Sequence, residues 1–195
     1  MFDVVRKLMM ARSLNMENGE ITLFHKRVQL VPVEIFVDML HSKNNLNNIA
    51  ISEYEAAKSS TLDYFRFLRD KKGIKGNELV KWCQNIFNLA GWGRVSFNVS
   101  EIPEGRGSVK IENSAFASTY LQKYGKSKTP ACHLVRGGIA GGGIVLTEKE
   151  DLEAVEVNCM AMGAPVCTII YKPRDEFVKD YEERGSNIIK TQLNL

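Results

Sequence analysis

The spacing of apolar residues along the chain predicts both helices and short paired strands. In Phe2–Leu14 and in Leu79–Ala90 the apolar residues recur with helical spacing, as on one face of an amphipathic helix. In Val95–Val99 and in Val109–Ile111 they alternate with polar residues, as in strands with one buried face, and turn residues separate the two segments. The pattern therefore predicts a helix at each of the first two segments and a hairpin from the last two.

Capping and turn residues mark the ends of the other elements. The further predicted helices are Pro32–Leu40, Ser52–Leu68, Phe116–Tyr124, a glycine-rich helix Cys132–Leu146 that Thr129-Pro130 would open, and Arg174–Arg184. The further predicted strands are Ile21–Phe24, Val28–Val31, Leu152–Val157 and Val166–Tyr171, with a turn at Asn18-Gly19. Neither a repeat nor a linker is visible. We therefore expect one α+β domain over residues 1–195, with antiparallel strand pairs packed against helices and a flexible tail from about residue 185 to 195.

Composition and charge narrow the class of protein. With 44% hydrophobic and 25% charged residues the chain is typical of soluble globular proteins. The net charge of +3 is small, and the basic runs at 69–75 and 123–128 lack interleaved aromatic residues, so we expect no direct nucleic-acid binding. The apolar stretch Gly137–Leu146 is about half as long as a bilayer crossing requires. The chain also begins without a signal-peptide pattern, which predicts a cytoplasmic protein with reduced cysteines and no membrane span.

Three of the four cysteines and one glutamate form the densest group of candidate metal ligands. Cys132, Glu156, Cys159 and Cys167 follow the spacing Cys-x23-Glu-x2-Cys-x7-Cys. Zinc binds four such donors in a tetrahedron, but cysteine is also a common apolar filler of protein cores, and the spacing alone leaves both interpretations open. Residues 156 and 159 would face opposite sides of a straight strand, so a shared site requires a turn or bulge around Asn158.

The residues around this group form a longer signature. It reads Cys132-His-Leu-Val-Arg-Gly-Gly-Ile-Ala-Gly-Gly, then Glu156-Val-Asn-Cys159-Met-Ala-Met-Gly-Ala-Pro-Val-Cys167, within residues 132–170. This stretch resembles the 4-vinyl reductase domain family, and the opening of the chain is similar to its stand-alone archaeal members. The family also includes the effector-binding domains of bacterial phenol sensors. Its fold is related to haem-NO-binding domains and to TRAPP subunits.

The resemblance implies a structural zinc ion, because in the phenol sensors the matching three cysteines and glutamate bind one. It also implies a TRAPP-like or haem-NO-binding-like fold with a hydrophobic pocket for a small hydrophobic or aromatic ligand. Members of this structural superfamily commonly associate, and Phe2–Leu14 has an apolar stripe without an assigned place in the core. We therefore expect a homodimer.

Aromatic residues between the predicted helices and strands are the candidates for pocket lining. They are Trp82, Phe87, Trp92, Phe97, Phe116 and Tyr120. The sequence does not separate lining from core packing. The phenol sensors hold the ligand hydroxyl with a histidine and a tryptophan upstream of the first cysteine. This chain has no histidine between His41 and His133, which argues against phenol itself as the ligand.

The glycine-rich helix carries two further candidates. Arg136 lies one helical turn after Cys132, where it could offset the negative charge of a zinc site or could equally be solvated. His133 would point about 100° away from Cys132, which favours a place at the surface or behind the ligands. The glycines themselves lack the Gly-Lys-Ser/Thr ending of a phosphate-binding loop, and each costs about 1 kcal/mol in a helix. Close approach of another backbone or a ligand is therefore the expected reason for them.

Three functions are compatible with these features. The first is a zinc-containing sensory or carrier domain that binds a small molecule. The second is an enzyme or an accessory factor in tetrapyrrole-type vinyl reduction. It ranks lower because four protein ligands leave zinc no open position, and neither a dinucleotide fingerprint nor a proton-transfer pair is visible. The third is a dimeric assembly subunit, by analogy of fold.

Overall fold

Strands and helices follow one another along residues 13–23, 26–42 and 46–195, which are the parts of the chain that the computed structural model describes. The strands are β1 (Leu14–Glu17), β2 (Glu20–Leu23), β3 (Lys26–Val28), β4 (Arg94–Asn98), β5 (Gly107–Glu112), β6 (Leu152–Asn158) and β7 (Cys167–Pro173). The helices are α1 (Val33–His41), α2 (Leu46–Lys72), α3 (Gly76–Leu89), α4 (Ala115–Tyr124), α5 (His133–Thr147), α6 (Arg174–Arg184) and α7 (Asn187–Leu193), with a short 3-10 helix at Met160–Met162. The predicted α+β class is confirmed.

A four-stranded antiparallel sheet in the order β4-β5-β7-β6 carries the core. Its two predicted pairs are present, the β4–β5 hairpin and the β6–β7 pair, and β5 joins them by pairing with β7. Buried apolar residues of the sheet, such as Val109 and Ile169, belong to one core cluster with Phe65 of α2 and Ile139 of α5. The sheet and the helices therefore enclose a single large core.

A smaller sheet, β1-β2-β3, precedes the core elements. The predicted turn at Asn18-Gly19 joins β1 to β2, and both residues have the positive φ that such a tight turn requires, 51° and 76°. Of the predicted helix Phe2–Leu14, the residues up to 12 lie outside the described chain, and Leu14 begins β1 instead. The dimer expected from that helix stays a prediction. Phe24 and His25 also lie outside the described residues.

Helix α5 packs against α2 at unusually short range, because glycines form its contact face. A Cβ atom at Gly137 would lie 2.1 Å from the carbonyl oxygen of Tyr54, and one at Gly141 would lie 2.3 Å from that of Lys58. These distances leave no room for any side chain. The close backbone approach expected from the glycine run is thus a helix–helix contact.

Several boundaries differ from the prediction. Helix α2 spans Leu46–Lys72 and not Ser52–Leu68, and β3 spans Lys26–Val28 and not Val28–Val31. Helix α5 begins at His133 with Cys132 as its N-cap residue, and not at Thr129-Pro130. The segment 185–195, expected to be a flexible tail, forms α7, whose Ile189 and Leu193 pack with Phe177 in a second small apolar cluster. A helix of seven residues is long enough to bury these side chains. It is too short to show a clear helical period in the sequence, so the pattern did not predict it. Among the described helices, none has the length and apolar character needed to cross a membrane.

The packing of α5 on α2 predicts different effects for two glycines one residue apart. Gly141→Ala should lower the free energy of unfolding by about 3 kcal/mol, because the new methyl group meets backbone that does not yield. Gly142→Ala is the matched control, since its Cβ would lie 3.7 Å from the Phe65 ring, an ordinary contact. It should change stability by no more than about 1 kcal/mol. Equal effects in urea unfolding would contradict the described packing.

Candidate functional site

The four candidate ligands converge on one point in the core. The ligand atoms of Cys132, Glu156, Cys159 and Cys167 all lie within 4.8 Å of one another. The four residues are at most 1% exposed. The sulfurs of Cys132 and Cys167 are 3.7 Å apart, far beyond the roughly 2.05 Å of a disulfide, and all three cysteines are free. The group could hold a metal ion.

Three chain segments bring these side chains together. Cys132 immediately precedes α5, Glu156 lies in β6, and Cys167 is the first residue of β7. The pairing of β6 with β7 shifts register between Glu156 and Asn158, which is the irregularity predicted there. After Cys159 the chain forms the 3-10 helix, which ends at Gly163. The φ of 98° at Gly163 is a conformation that favours glycine, which has no side chain. The turn returns the chain to Cys167.

Neighbouring groups fix the orientation of these side chains. The Ser114 hydroxyl lies 3.2 Å from the Cys132 sulfur, and the Met160 amide donates to the Cys167 sulfur at 3.3 Å. The Cys132 amide donates to Oε2 of Glu156 at 3.1 Å. The side-chain amide of Gln192 in α7 makes two hydrogen bonds to the backbone of Glu156, at 2.9 and 3.0 Å. Neither Ser114 nor Gln192 was predicted; Ser114 fits an N-cap before α4, and nothing in the sequence points to Gln192.

The site is electrostatically unfavourable without a cation. Burial raises the pKa of Glu156 well above its usual range, and Cys159 adds to the effect. Hydrogen bonds from Cys132 and Cys159 lower the pKa of Cys167 to about 5. Oε1 of Glu156 is buried and has no hydrogen-bond partner in the described structure. Such an atom costs about 1–3 kcal/mol, and more when the group is charged, so these donors suit a bound cation.

Arg136 and His133 are both buried, at 2% and 7% exposure, so neither is a solvated surface residue. Arg136 donates to the carbonyl oxygens of Ala154 (3.2 Å) and Gln192 (3.0 Å) and lies over the Tyr54 ring, 3.9 Å from its centroid. In the described structure the Arg136 side chain makes no hydrogen bond to the four clustered side chains. Burial lowers the pKa of His133 to about 3, so its ring is neutral at pH 7.

The six aromatic candidates separate into different environments. Phe87 and Trp92 stack on each other with ring centroids 5.0 Å apart, and both line an apolar cavity of about 230 Å³. Tyr120 lines a different, smaller cavity beside His133. The others, Trp82, Phe97 and Phe116, pack in or against the core.

The apolar cavity lies between α2, α3 and the small N-terminal sheet. Its walls are mostly apolar, from Leu23 and Val28 of the sheet, Phe65 of α2 and Ile86 of α3. Ser60, Thr61 and Tyr64 add hydroxyl groups on the α2 side. An apolar cavity of about 150 Å³ is known to bind benzene, so this space is large enough for one aromatic ring.

Fold and site together define an α+β domain with a buried Cys3Glu group at the start of a glycine-rich helix. Comparison with known proteins shows which family has these features. Residues 108–173, which contain all four clustered side chains, match the model of the V4R domain family. The resemblance to 4-vinyl reductase domains is therefore confirmed over that segment. No curated protein matches the chain.

Two solved structures share the fold. The phenol-responsive sensory domain of the transcription activator PoxR, determined with phenol, superposes with a TM-score of 0.73 at 20% identity. That similarity covers 90% of this chain and 91% of that chain. A vinyl-4-reductase family protein from Methanocaldococcus jannaschii gives a TM-score of 0.51 at 16% identity, over 74% of this chain and 83% of that chain.

The geometry predicts which cysteine matters for metal content. Cys159→Ser should lose most of any bound metal, because it removes one of four donors. Cys83→Ser should keep it, since Cys83 is buried in α3 outside the group, with its sulfur 3.8 Å from where a Cβ of Gly142 would lie. Elemental analysis of both variants, purified without added metal, measures the difference. Loss of metal in Cys83→Ser with retention in Cys159→Ser would show that the ligand set is wrong.

Proposed function

We propose that this protein is a small-molecule-binding domain of the sensory or carrier type, in which Cys132, Glu156, Cys159 and Cys167 hold a structural zinc ion. The observation that carries the proposal is the buried Cys3Glu group at the junction of α5, β6 and β7. The zinc stabilises the fold, and the apolar cavity between α2 and α3 receives the ligand.

The donor set and its spacing favour zinc. Thiolates select zinc over the hard cations magnesium and calcium, which prefer oxygen ligands. Tetrahedral zinc with bonds of about 2.3 Å to sulfur places neighbouring sulfurs about 3.8 Å apart. The Cys132 and Cys167 sulfurs are separated by 3.7 Å. The carboxylate oxygen of Glu156 that lacks a partner would supply the fourth bond.

A zinc ion with these four ligands would be structural. All four positions would be filled by protein, so neither water nor substrate could reach the metal, whereas a catalytic zinc keeps one position open. The ligands come from segments up to 35 residues apart in sequence. The ion would therefore connect the start of α5 to the last strand pair and supply positive charge for the buried thiolates and carboxylate.

The cavity supports a small apolar or aromatic ligand. Its volume of about 230 Å³ is below the roughly 300–1,000 Å³ of pockets for drug-sized molecules, which favours a ligand of about one ring. The stacked rings of Phe87 and Trp92 offer aromatic faces, and Tyr64 offers a hydroxyl group for orientation. The shared fold with the phenol-responsive domain of PoxR agrees with this ligand class.

Removing the metal tests the structural role. Structural zinc sites contribute about 10–16 kcal/mol of apparent binding free energy, comparable to the roughly 5–15 kcal/mol stability of a domain. A strong chelator should therefore lower the melting temperature by at least about 15 °C, and zinc in excess should restore it. Metal-free protein that melts within about 3 °C of the metal-bound form would contradict the structural role.

Filling the apolar cavity tests the ligand site. Calorimetric titration with toluene and with phenol should show saturable binding of at least one of them to the wild-type protein. Ile86→Trp should weaken that binding at least tenfold, because the larger ring occupies the cavity. Val99→Trp is the matched control, since Val99 is exposed just beyond β4 and does not line the cavity. Absence of binding to wild type, or equal binding by both variants, would exclude the cavity as an aromatic-ligand site.

A further inference from the structure

A second cavity lies beside the polar part of α5 and shares no lining residue with the apolar one. It has a volume of about 50 Å³ and is lined by residues of α1, α2, α4, α5 and α7 and of the loop before α5. Arg136 lines both this cavity and a neighbouring cleft of about 210 Å³ that is bordered by α2, β6 and α7. Arg136, although only 2% exposed, thus lines two neighbouring spaces between the packed elements.

Arg136 is a buried cation without an ionic partner. Its two described hydrogen bonds go to carbonyl oxygens, and none of the described carboxylates forms an ion pair with it. Its Nε is buried and has no hydrogen-bond partner in the described structure. Because a buried charge is strongly unfavourable unless it is paired, an anion is the missing component of this site.

Glu153, which lines the neighbouring cleft together with Arg136, forms its ion pairs with other groups. It pairs with Lys58 at 3.0 Å and with Arg174 at 3.7 Å, and it accepts a hydrogen bond from the Tyr54 hydroxyl. Two cations therefore already share this one carboxylate. Glu156 and Glu55 also attract the Arg136 guanidinium group, but neither forms an ion pair with it among the described side chains.

The walls of the small cavity indicate the kind of anion. His133, 7% exposed, lines it with an Nδ1 atom that also lacks a partner in the described structure. Thr191 adds a hydroxyl-bearing side chain, and Leu40 and Ile51 add apolar surface. A single guanidinium group matches a singly charged anion better than phosphate. The apolar wall suits a short hydrocarbon part.

We propose that this protein binds a small organic monocarboxylate here, with the carboxylate on Arg136 and the hydrocarbon part against Leu40 and Ile51. The site is separate from the aromatic-ligand cavity. It is also distinct from the proposed zinc ligands, because the Arg136 side chain makes no hydrogen bond to their side chains in the described structure.

Titration of the metal-loaded protein with 13C-labelled formate and acetate, which are small enough for a cavity of about 50 Å³, tests the proposal. We expect saturable binding of at least one of them, with a shift of the Arg136 Nε–H resonance in 15N spectra. Acetamide, which is neutral and similar in shape to acetate, should bind at least tenfold more weakly. Arg136→Gln should lose at least tenfold in affinity for the carboxylate, and Arg136→Lys should recover part of it. Arg106→Gln is the matched control, because Arg106 is exposed and pairs with Glu176; it should bind like the wild type.

A second variant keeps the test decisive if the Arg136 substitutions misfold. Ala50→Phe fills the small cavity and leaves Arg136 in place, so it should abolish carboxylate binding while zinc content stays the same. Three results would overturn the proposal: no saturable binding to wild type, equal binding of acetate and acetamide, or undiminished binding in both Arg136→Gln and Ala50→Phe. Loss of zinc from Arg136→Gln with unchanged carboxylate affinity would instead assign Arg136 to the metal site.

Discussion

Four ionisable side chains meet at a fully buried point, and this constraint shapes the centre of the structure. Three thiols and one carboxyl group share a space in which every donor atom is within 4.8 Å of the others. If they ionise they repel one another at short range, and if they stay protonated they leave polar atoms such as Oε1 of Glu156 without a partner. A dication removes both problems at once. The irregular end of β6, the turn after Cys159 and the start of α5 are arranged around that point.

Helix α5 connects this centre to the rest of the fold because each of its faces contacts a different part of the structure. Its N-terminal end presents Cys132 to the cluster. Gly137 and Gly141 allow the backbone of α2 to approach, and Gly138 lies against Phe87 and Trp92 of the apolar cavity wall. Arg136 lies on the side of Tyr54 and α7. Small residues are therefore needed on one face of the helix, and a large cation is accommodated on another.

Local patterns in the sequence were sufficient to predict most elements. The period of two in Val95–Val99 marks β4, and the spacing of Glu156 and Cys159 requires a bulge in β6, which is present. The four side chains of the predicted ligand set do converge, and their role as metal ligands, which the resemblance implies and the spacing alone left open, stays a prediction.

Long-range contacts were not predictable in the same way. The burial of Arg136 depends on carbonyl groups of β6 and α7, and the anchoring of Glu156 depends on Gln192, 36 residues away. Neither partner carries a local signal, since any polar residue can occupy a short terminal helix. The cavity positions of Phe87 and Trp92 likewise follow from how α2, α3 and the small sheet pack, and composition alone cannot rank them above Phe97 or Phe116.

X-ray absorption at the zinc edge, on protein purified without added metal, tests the central claim most directly. A zinc ion bound by the proposed ligands predicts about three sulfur neighbours at about 2.3 Å and one oxygen neighbour at about 2.0–2.2 Å. The sulfur count should fall to about two in Cys159→Ser if any zinc remains. A spectrum dominated by oxygen and nitrogen neighbours, or the absence of zinc from folded protein, would contradict the account.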